Sequence, residues 1–222
     1  MDKLIYEVQQ EITNSNPNYK YTDYCKQVEL GYWCQIPNWI KEFHAISPIN
    51  SCLDIGVAMG TLLLYTHKIS GCSLFATELE KHLSDEVIQR YNIEYEVSNI
   101  ELQPIQFSLQ KYDVIIFTEV FEHLKYNPIY AMNKIYQLLN DNGRVFFSTP
   151  NVDIWGKLGK YKSWQDMPIP AEYQDLFDGG HEYQYSLDEV KNVLDLTNFT
   201  IEKFDYSPLN TKTHFNMELK KR

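Results

Sequence analysis

The segment that most limits the fold is Tyr112–Thr118, YDVIIFT, a mostly apolar run without alternation of polar and apolar positions. Side chains along a strand point to opposite faces in turn, so such a run must be covered on both faces. That is the place of a central strand in a parallel sheet with helices above and below it. Short apolar runs at Cys52–Ile55, Leu74–Thr77, about Tyr95–Val97 and Arg144–Ser148 extend the series. Helices are expected between them over Thr61–His67 and Pro128–Leu139, the second followed by the turn signal Asp141-Asn142-Gly143. A helix over Leu187–Leu196 and two strands, Thr200–Phe204 and His214–Leu219, close the chain. The pattern predicts an α/β, doubly wound fold.

Two stretches fall outside this alternation. Residues 1–48 are polar and aromatic-rich, and in them Trp33, Ile36, Trp39, Ile40 and Phe43 recur at helical spacing up to Pro48. They are read as an N-terminal helical extension or lid, with the main domain over 49–222. Between Pro150 and Tyr185 the chain carries Gly156, Gly159, Pro168, Pro170, Gly179 and Gly180. Irregular chain of that length inside a domain reads as a functional cap, placed at about 155–185.

Composition narrows the partners. Acidic residues outnumber basic ones 30 to 20, for a net charge of −10, and the three arginines are Arg90, Arg144 and Arg222. Nucleic-acid binders neutralise roughly 6–10 phosphates with Lys and Arg, so DNA is not an expected partner and RNA is disfavoured. Cys25, Cys34, Cys52 and Cys72 lie far apart with no C-x-x-C pair, which speaks against thiolate zinc and a disulfide framework. The N-terminus lacks the apolar core of a signal peptide, and no apolar run approaches the roughly 18 residues of a membrane span. A soluble, cytoplasmic protein is expected. Abundant Lys, Asn, Ile and Tyr point to an AT-rich, bacterial genome.

Three motifs carry chemistry. Asp54-Ile55-Gly56-Val57-Ala58-Met59-Gly60 puts glycines where a backbone turns tightly and approaches a ligand, although such glycines also serve turns with no ligand. Glu78 ends the second strand, 24 residues after Asp54, where a carboxylate can accept both hydroxyls of a ribose. Glu80 competes for that role, and a solvated loop carboxylate is the plain alternative. Glu119-Val120-Phe121-Glu122-His123 follows the central strand at the carboxyl edge of the sheet, where open α/β proteins bind ligands. If helical, it sets Glu119, Glu122 and His123 on one face, a plausible divalent-cation site; without a cation they pack, or His123 acts as a base.

In order, LDIGVAMGT, FATELE, SNIELQP, KYDVIIFTEVFEHL and GRVFFSTPN make residues 50–205 resemble class I S-adenosylmethionine-dependent methyltransferases, type 11/23-like. The resemblance implies a Rossmann-like sheet of about seven strands with a C-terminal antiparallel strand, and S-adenosyl-L-methionine as cofactor. It assigns Gly56, Ala58 and Gly60 to the cofactor's methionine part, Glu78 to its ribose and Asn99 and Ile100 to its adenine, and it counts Asp54 and Thr118 among the cofactor-binding residues. Ala58 stands where the family's middle glycine is usual, and Asn99 where many relatives have Asp. A nicotinamide-binding Rossmann enzyme is the rival, but the third glycine of G-x-G-x-x-G is not in place. The E-x-x-E-H pattern, with the His of Gly179-Gly180-His181-Glu182-Tyr183, resembles two metal-using branches, the ubiquinone-pathway O-methyltransferases and the small-RNA 2′-O-methyltransferases. It implies Glu119, Glu122, His123 and His181 as ligands of Mg, Mn or Zn, with His123, Glu119 and Glu122 at the reacting oxygen.

The expected reaction is O-methylation of a small-molecule hydroxyl (on a sugar, nucleotide-sugar or secondary metabolite), because a hydroxyl needs a base or metal near neutral pH and an amine does not. RNA 2′-O-methylation, N-methylation of a small amine and a catalytically inactive cofactor-binding protein are the alternatives. Lys157, Lys160 and Lys162, with Tyr161 and Trp164 between them, are a solvated loop or a site for an anionic acceptor. His44, His67 and His82 are read as satisfied or solvent-facing and His214 as structural. Tyr21, Tyr24, Tyr32 and Trp33 are read as core, with a fold over the ligand as the alternative.

Overall fold

The structure, a computed structural model, describes residues 3–15, 23–157, 159–170 and 180–222, leaving aside the side chains of 23–25. Three helices, α1 (Lys3–Ser15), α2 (Asp23–Tyr32) and α3 (Ile36–Ile46), precede β1 (Ser51–Ile55). Then come α4 (Thr61–Ser70), β2 (Ser73–Glu78), α5 (Asp85–Arg90), β3 (Glu94–Val97) and β4 (Tyr112–Thr118). The chain ends with α6 (Pro128–Leu138), β5 (Leu139–Pro150), α7 (Val152–Trp155), α8 (Leu187–Leu196), β6 (Phe199–Ser207) and β7 (His214–Lys221). One seven-stranded sheet has the order β3-β2-β1-β4-β5-β7-β6, with β7 antiparallel to both neighbours. The strand order reverses between β1 and β4, so a crevice opens beyond their carboxyl ends.

β4 explains its own sequence. Val114 and Ile116 face the core built with α1, α3 and α4, while Ile115 and Phe117 face the core built with α6 and α8. Its polar exception, Asp113, accepts the Asn50 N–H (2.8 Å) and an Asn140 amide hydrogen (2.7 Å), tying three segments at the amino edge of the sheet. The Asp141-Asn142-Gly143 signal does not separate α6 from the next strand as expected. It lies within β5, which already pairs Leu139 with Tyr112 and steps out of register before Arg144 meets Val114.

All five apolar residues at helical spacing, from Trp33 to Phe43, are buried, and they share a core with Leu62, Leu63, Leu64 and Tyr65 of α4. The Tyr65 hydroxyl donates to the Pro37 carbonyl at 3.2 Å. α3 stops at Ile46, with Ser47 extended, just short of Pro48. α1 and α5 were not foreseen, although Ile5, Val8 and Ile12 have helical spacing and Ser84 caps α5 by accepting the Val87 N–H. Because Ile40 is wholly buried between α3 and the sheet layer, Ile40→Ala should cost about 3 kcal/mol. Urea unfolding checks this: a loss under about 1 kcal/mol would mean that α3 is a detachable flap.

Candidate active site

At the end of β1 the chain must reverse into α4 under the crevice. Gly56 adopts φ +79°, and a Cβ there would lie 2.3 Å from Val120 Cγ2, so the turn has room only for hydrogen. Its N–H donates to the Thr77 carbonyl at 2.7 Å. Ala58 sits at φ +46°, a left-handed position where glycine is usual and alanine carries strain. Two cavities meet over this turn, of about 210 and 150 Å³, and Gly56, Ala58 and Glu119 border both. Glu78, Asn99, Ile100 and His123 border the larger. Asp54, Thr118, Glu29, Tyr32 and Trp33 border the smaller. Every residue predicted for the cofactor thus reaches one of the two, except Gly60, which begins α4 at φ +80°.

The polar groups of this trough are arranged unevenly. Glu78 Oε1 accepts the His82 N–H (2.8 Å) and the Tyr95 hydroxyl, while Oε2 faces His82 Nδ1 at 3.1 Å. His82 is therefore part of the trough wall, not a bystander. Glu80 is exposed at the rim. Asn99 Oδ1 accepts the Glu101 N–H at 2.8 Å, which leaves its second lone pair for a ligand. Asp54 is 4 % exposed and, among the described residues, accepts no side-chain hydrogen bond. Burial, then the Glu78 and Glu29 carboxylates, push its carboxyl well above the usual range. Glu29, absent from the sequence-based set, comes from α2 and accepts the Thr61 hydroxyl at 3.1 Å. Nothing local marks it, since its place over the turn depends on how α2 packs.

The Glu119–His123 segment departs from the predicted helix face. The Glu119 N–H still pairs with the Ser148 carbonyl (3.0 Å), and the residue then turns to φ +56°. Only Phe121–His123 form a single helical turn. Glu119 thereby falls outside the cluster that Glu122 and His123 form with His181. Its Oε1 accepts the Ser148 hydroxyl at 2.6 Å, and its Oε2 lies 3.3 Å from His214 Nε2. Glu122 is buried and accepts the Thr149 hydroxyl at 3.0 Å, with its other oxygen 3.8 Å from His123 Nε2. His181 packs edge-on against His123, ring centroids 4.8 Å apart. Ligand atoms of Glu122, His123 and His181 all lie within 4.8 Å of one another. Three of the four implied metal ligands converge, and Glu119 is not among them.

Burial sets the electrostatics of this cluster. It pushes the Glu122 carboxyl up to about 7 against the opposing pull of its own N–H, His181 and Thr149. Burial and the neighbouring Glu122 push Glu119 well above the carboxylate range, with Ser148 opposing. Burial pushes the His123 and His181 imidazoles down, and it takes His214 to about 4 with help from His181. His123 Nδ1 lies 3.0 Å from the Gly180 carbonyl, so in the neutral ring Nδ1 carries the hydrogen and Nε2 the lone pair.

Other residues fall as follows. His214, read from sequence as structural, instead faces Glu119 between the rings of Tyr32 (4.6 Å) and Trp155 (6.0 Å). Trp33 is both core and trough wall. His67 Nδ1 is satisfied by the Cys72 carbonyl at 2.8 Å. Tyr21 and Gly179 lie outside the described residues, as does the Tyr24 side chain. Lys157 is bound to the Tyr183 hydroxyl (2.7 Å) and Lys160 to Glu182 (3.0 Å), while Trp164 is core. Among the described residues, no helix is long and apolar enough to cross a membrane.

Residues 30–203 match the family model described as a methyltransferase domain. No protein of curated function matches the sequence. Similar solved structures include 1,6-didemethyltoxoflavin-N1-methyltransferase of Burkholderia thailandensis with bound 1,6-didemethyltoxoflavin and S-adenosylhomocysteine. It is 15 % identical at a TM-score of 0.61, over 100 % of this chain and 91 % of that one. A TehB-like S-adenosylmethionine-dependent methyltransferase from Corynebacterium glutamicum is 15 % identical at a TM-score of 0.56, over 82 % and 87 %. An S-adenosylmethionine-dependent methyltransferase from Clostridium acetobutylicum is 10 % identical at a TM-score of 0.60, over 85 % and 91 %. At these identities the likeness is one of fold.

Two outcomes are expected. Gly56→Ala adds a left-handed alanine and a clash with Val120, and should cost about 3 kcal/mol. Adding Val120→Ala should return part of that loss in a double-mutant cycle, and strict additivity would argue against the contact. The raised pKa of Glu122 means that the folded protein keeps a proton which the unfolded chain releases from about 4.5 upward. Its contribution to stability is therefore full at low pH and lost as pH rises to about 7. In EDTA, the melting temperature of Glu122→Gln relative to wild type should climb between about pH 5 and pH 7 and then level, whereas a flat difference would mean ordinary titration.

Proposed function

The chain belongs to the methyltransferase-domain family, whose enzymes depend on S-adenosylmethionine, and from that premise we propose that it methylates a hydroxyl of a small molecule with the help of a divalent cation. The trough suits the cofactor. The backbone of the turn at Gly56 and Ala58 borders both cavities, and the buried carboxylate of Asp54 borders the smaller one with Glu29, where an ammonium group would be held. Glu78 would take the ribose hydroxyls, Asn99 and Ile100 the adenine, and Gly56 and Ala58 the methionine part. When bound, S-adenosylmethionine supplies a methyl group on a positively charged sulfonium.

The observation that carries the choice of acceptor is the convergence of Glu122, His123 and His181 at the carboxyl edge of β4. One carboxylate and two imidazoles are a donor set suited to Mn, Zn or Mg. A cation held there would lower the pKa of an acceptor hydroxyl, which does not ionise unaided near neutral pH. His123 is prepared for either a ligand's or a base's part, because the Gly180 carbonyl fixes its hydrogen on Nδ1 and leaves Nε2 toward Glu122. Glu119 is assigned a different part: with Ser148 and His214 it closes the trough where the two cavities join. A neutral acceptor is favoured over an anionic one, since an anion would have to draw Lys157 and Lys160 away from Tyr183, Glu189 and Glu182.

Calorimetric titration of EDTA-treated protein with S-adenosylhomocysteine, then Mg²⁺, Mn²⁺ or Zn²⁺, tests this beside Glu122→Ala. Micromolar cofactor binding plus a cation signal absent from the variant is expected. Cofactor binding with no cation signal would leave His123 as a base and reopen amine acceptors. Absence of cofactor binding would overturn the cofactor assignments.

A further inference from the structure

Glu182 plays no part in the chemistry above, yet it is a carboxylate only 2 % exposed, one residue after His181. Two lysines from separate segments converge on it. Lys125, which follows the Phe121–His123 turn, places Nζ 2.5 Å from Oε1, and Lys160 of the cap places Nζ 3.0 Å away. Lys125 is in turn fastened by its backbone: its N–H and that of Tyr126 donate to Glu101 at 3.0 and 2.8 Å. The Glu182 and Tyr183 N–H groups both point at the Glu122 carbonyl, at 2.8 and 3.3 Å. Gly159 pairs with Tyr183 in an antiparallel bridge. The peptide that carries His181 is thus docked on the residue that supplies the cluster's carboxylate, and the docking is pinned from both sides through one buried charge.

We infer that Glu182 is a positioning residue: its ion pairs with Lys125 and Lys160 hold His181 in register with Glu122 and His123, so that the three can share one cation. The inference rests on the cation reading of this site. Buried ion pairs are a poor source of net stability, because desolvation offsets most of their attraction. What they do supply is a fixed geometry for the peptide that carries His181, whose Nδ1 lies 3.2 Å from Gln184 Nε2. Groups that orient metal ligands from behind typically change metal affinity by about 10–100-fold when removed.

Charge and position can be separated, because they predict opposite signs for the lysines. If Glu182 and its partners acted only through their field, removing a positive charge near the cluster would tighten cation binding. If they act by holding His181, the same removal loosens it. Mn²⁺ titration of Lys125→Met and Lys160→Met, each with S-adenosylhomocysteine affinity as an internal control, should show Mn²⁺ binding weakened by about 10-fold in the first and less in the second, with cofactor affinity unchanged. Glu182→Gln should weaken Mn²⁺ binding at least as much. Unchanged or tighter binding in Lys125→Met would overturn the inference. Lys160, with its side chain 60 % exposed, covers the case in which Lys125→Met fails to fold. In the metal-free protein, the His181 imidazole shifts at fixed pH report the same geometry without a cation: they should move in Lys160→Met and Glu182→Gln, and unmoved shifts would overturn the inference. If wild type binds no Mn²⁺ while these shifts move, the cation reading fails and the positioning role stands.

Discussion

The carboxyl edge of β4 holds two carboxylates three positions apart, Glu122 buried and Glu119 half-buried, and much of the surrounding structure answers to that. Two like charges in a poorly solvated place cannot both stay ionised without a proton or a cation nearby. Each is instead given its own company. Glu119 is turned away by a left-handed backbone and met by Ser148 and His214, while Glu122 is met by Thr149, His123 and His181. A non-glycine residue at φ +56° carries strain of about 1–3 kcal/mol, and here it accompanies the placing of Glu119 outside the Glu122, His123 and His181 cluster. Ser148 and Thr149 reach them because β5 lies beside β4 with Thr118 opposite Ser148. His214 reaches Glu119 because β7 starts against Pro150. The sheet order is thus also the order in which partners reach the acids.

The same burial accounts for an acidic trough in an acidic chain. Asp54 and Glu29 face the smaller cavity, Glu78 the larger, and Glu119 both. A ligand with a cationic sulfonium and an ammonium group would favour the ionised form of these carboxyls, which burial alone opposes. Among the residues that border these two cavities, the histidines His82 and His123 are the only basic side chains, and no lysine or arginine competes for the carboxylates.

How much of this was legible in the sequence follows from which interactions are local. β4 declared itself because burial on both faces removes alternation, and the Gly56 turn did because φ +79° beside Val120 admits no side chain. Glu78, Asn99 and Ile100 were found because each sits at the end of a strand or in the loop after one, where topology alone brings it to the crevice. Glu29 and His214 were missed for the converse reason. One depends on how α2 packs over the turn, the other on the antiparallel insertion of β7, and neither leaves a local trace. The predicted common face for Glu119, Glu122 and His123 failed at a single dihedral, since the segment bends at Glu119 before it coils.

The cap return shows where the remaining specification lies. A site assembled from β4 and the turn that follows it could fix Glu122 and His123 with local contacts, since they are neighbours in one short helical turn. His181 lies 58 positions beyond His123 in the chain, yet the two rings pack edge-on with centroids 4.8 Å apart. The chain between them passes through α6, β5 and α7, so the register at which it returns must be set by contacts made there. Two backbone bonds to the Glu122 carbonyl and the Gly159–Tyr183 bridge set the place of the peptide. The Glu182 ion pairs lie beside those bonds, and Tyr183, bound to Lys157 and Glu189, fixes the next residue along. Local backbone pairing thus brings His181 near, and Gln184, whose Nε2 lies 3.2 Å from His181 Nδ1, is the side chain that meets the imidazole directly.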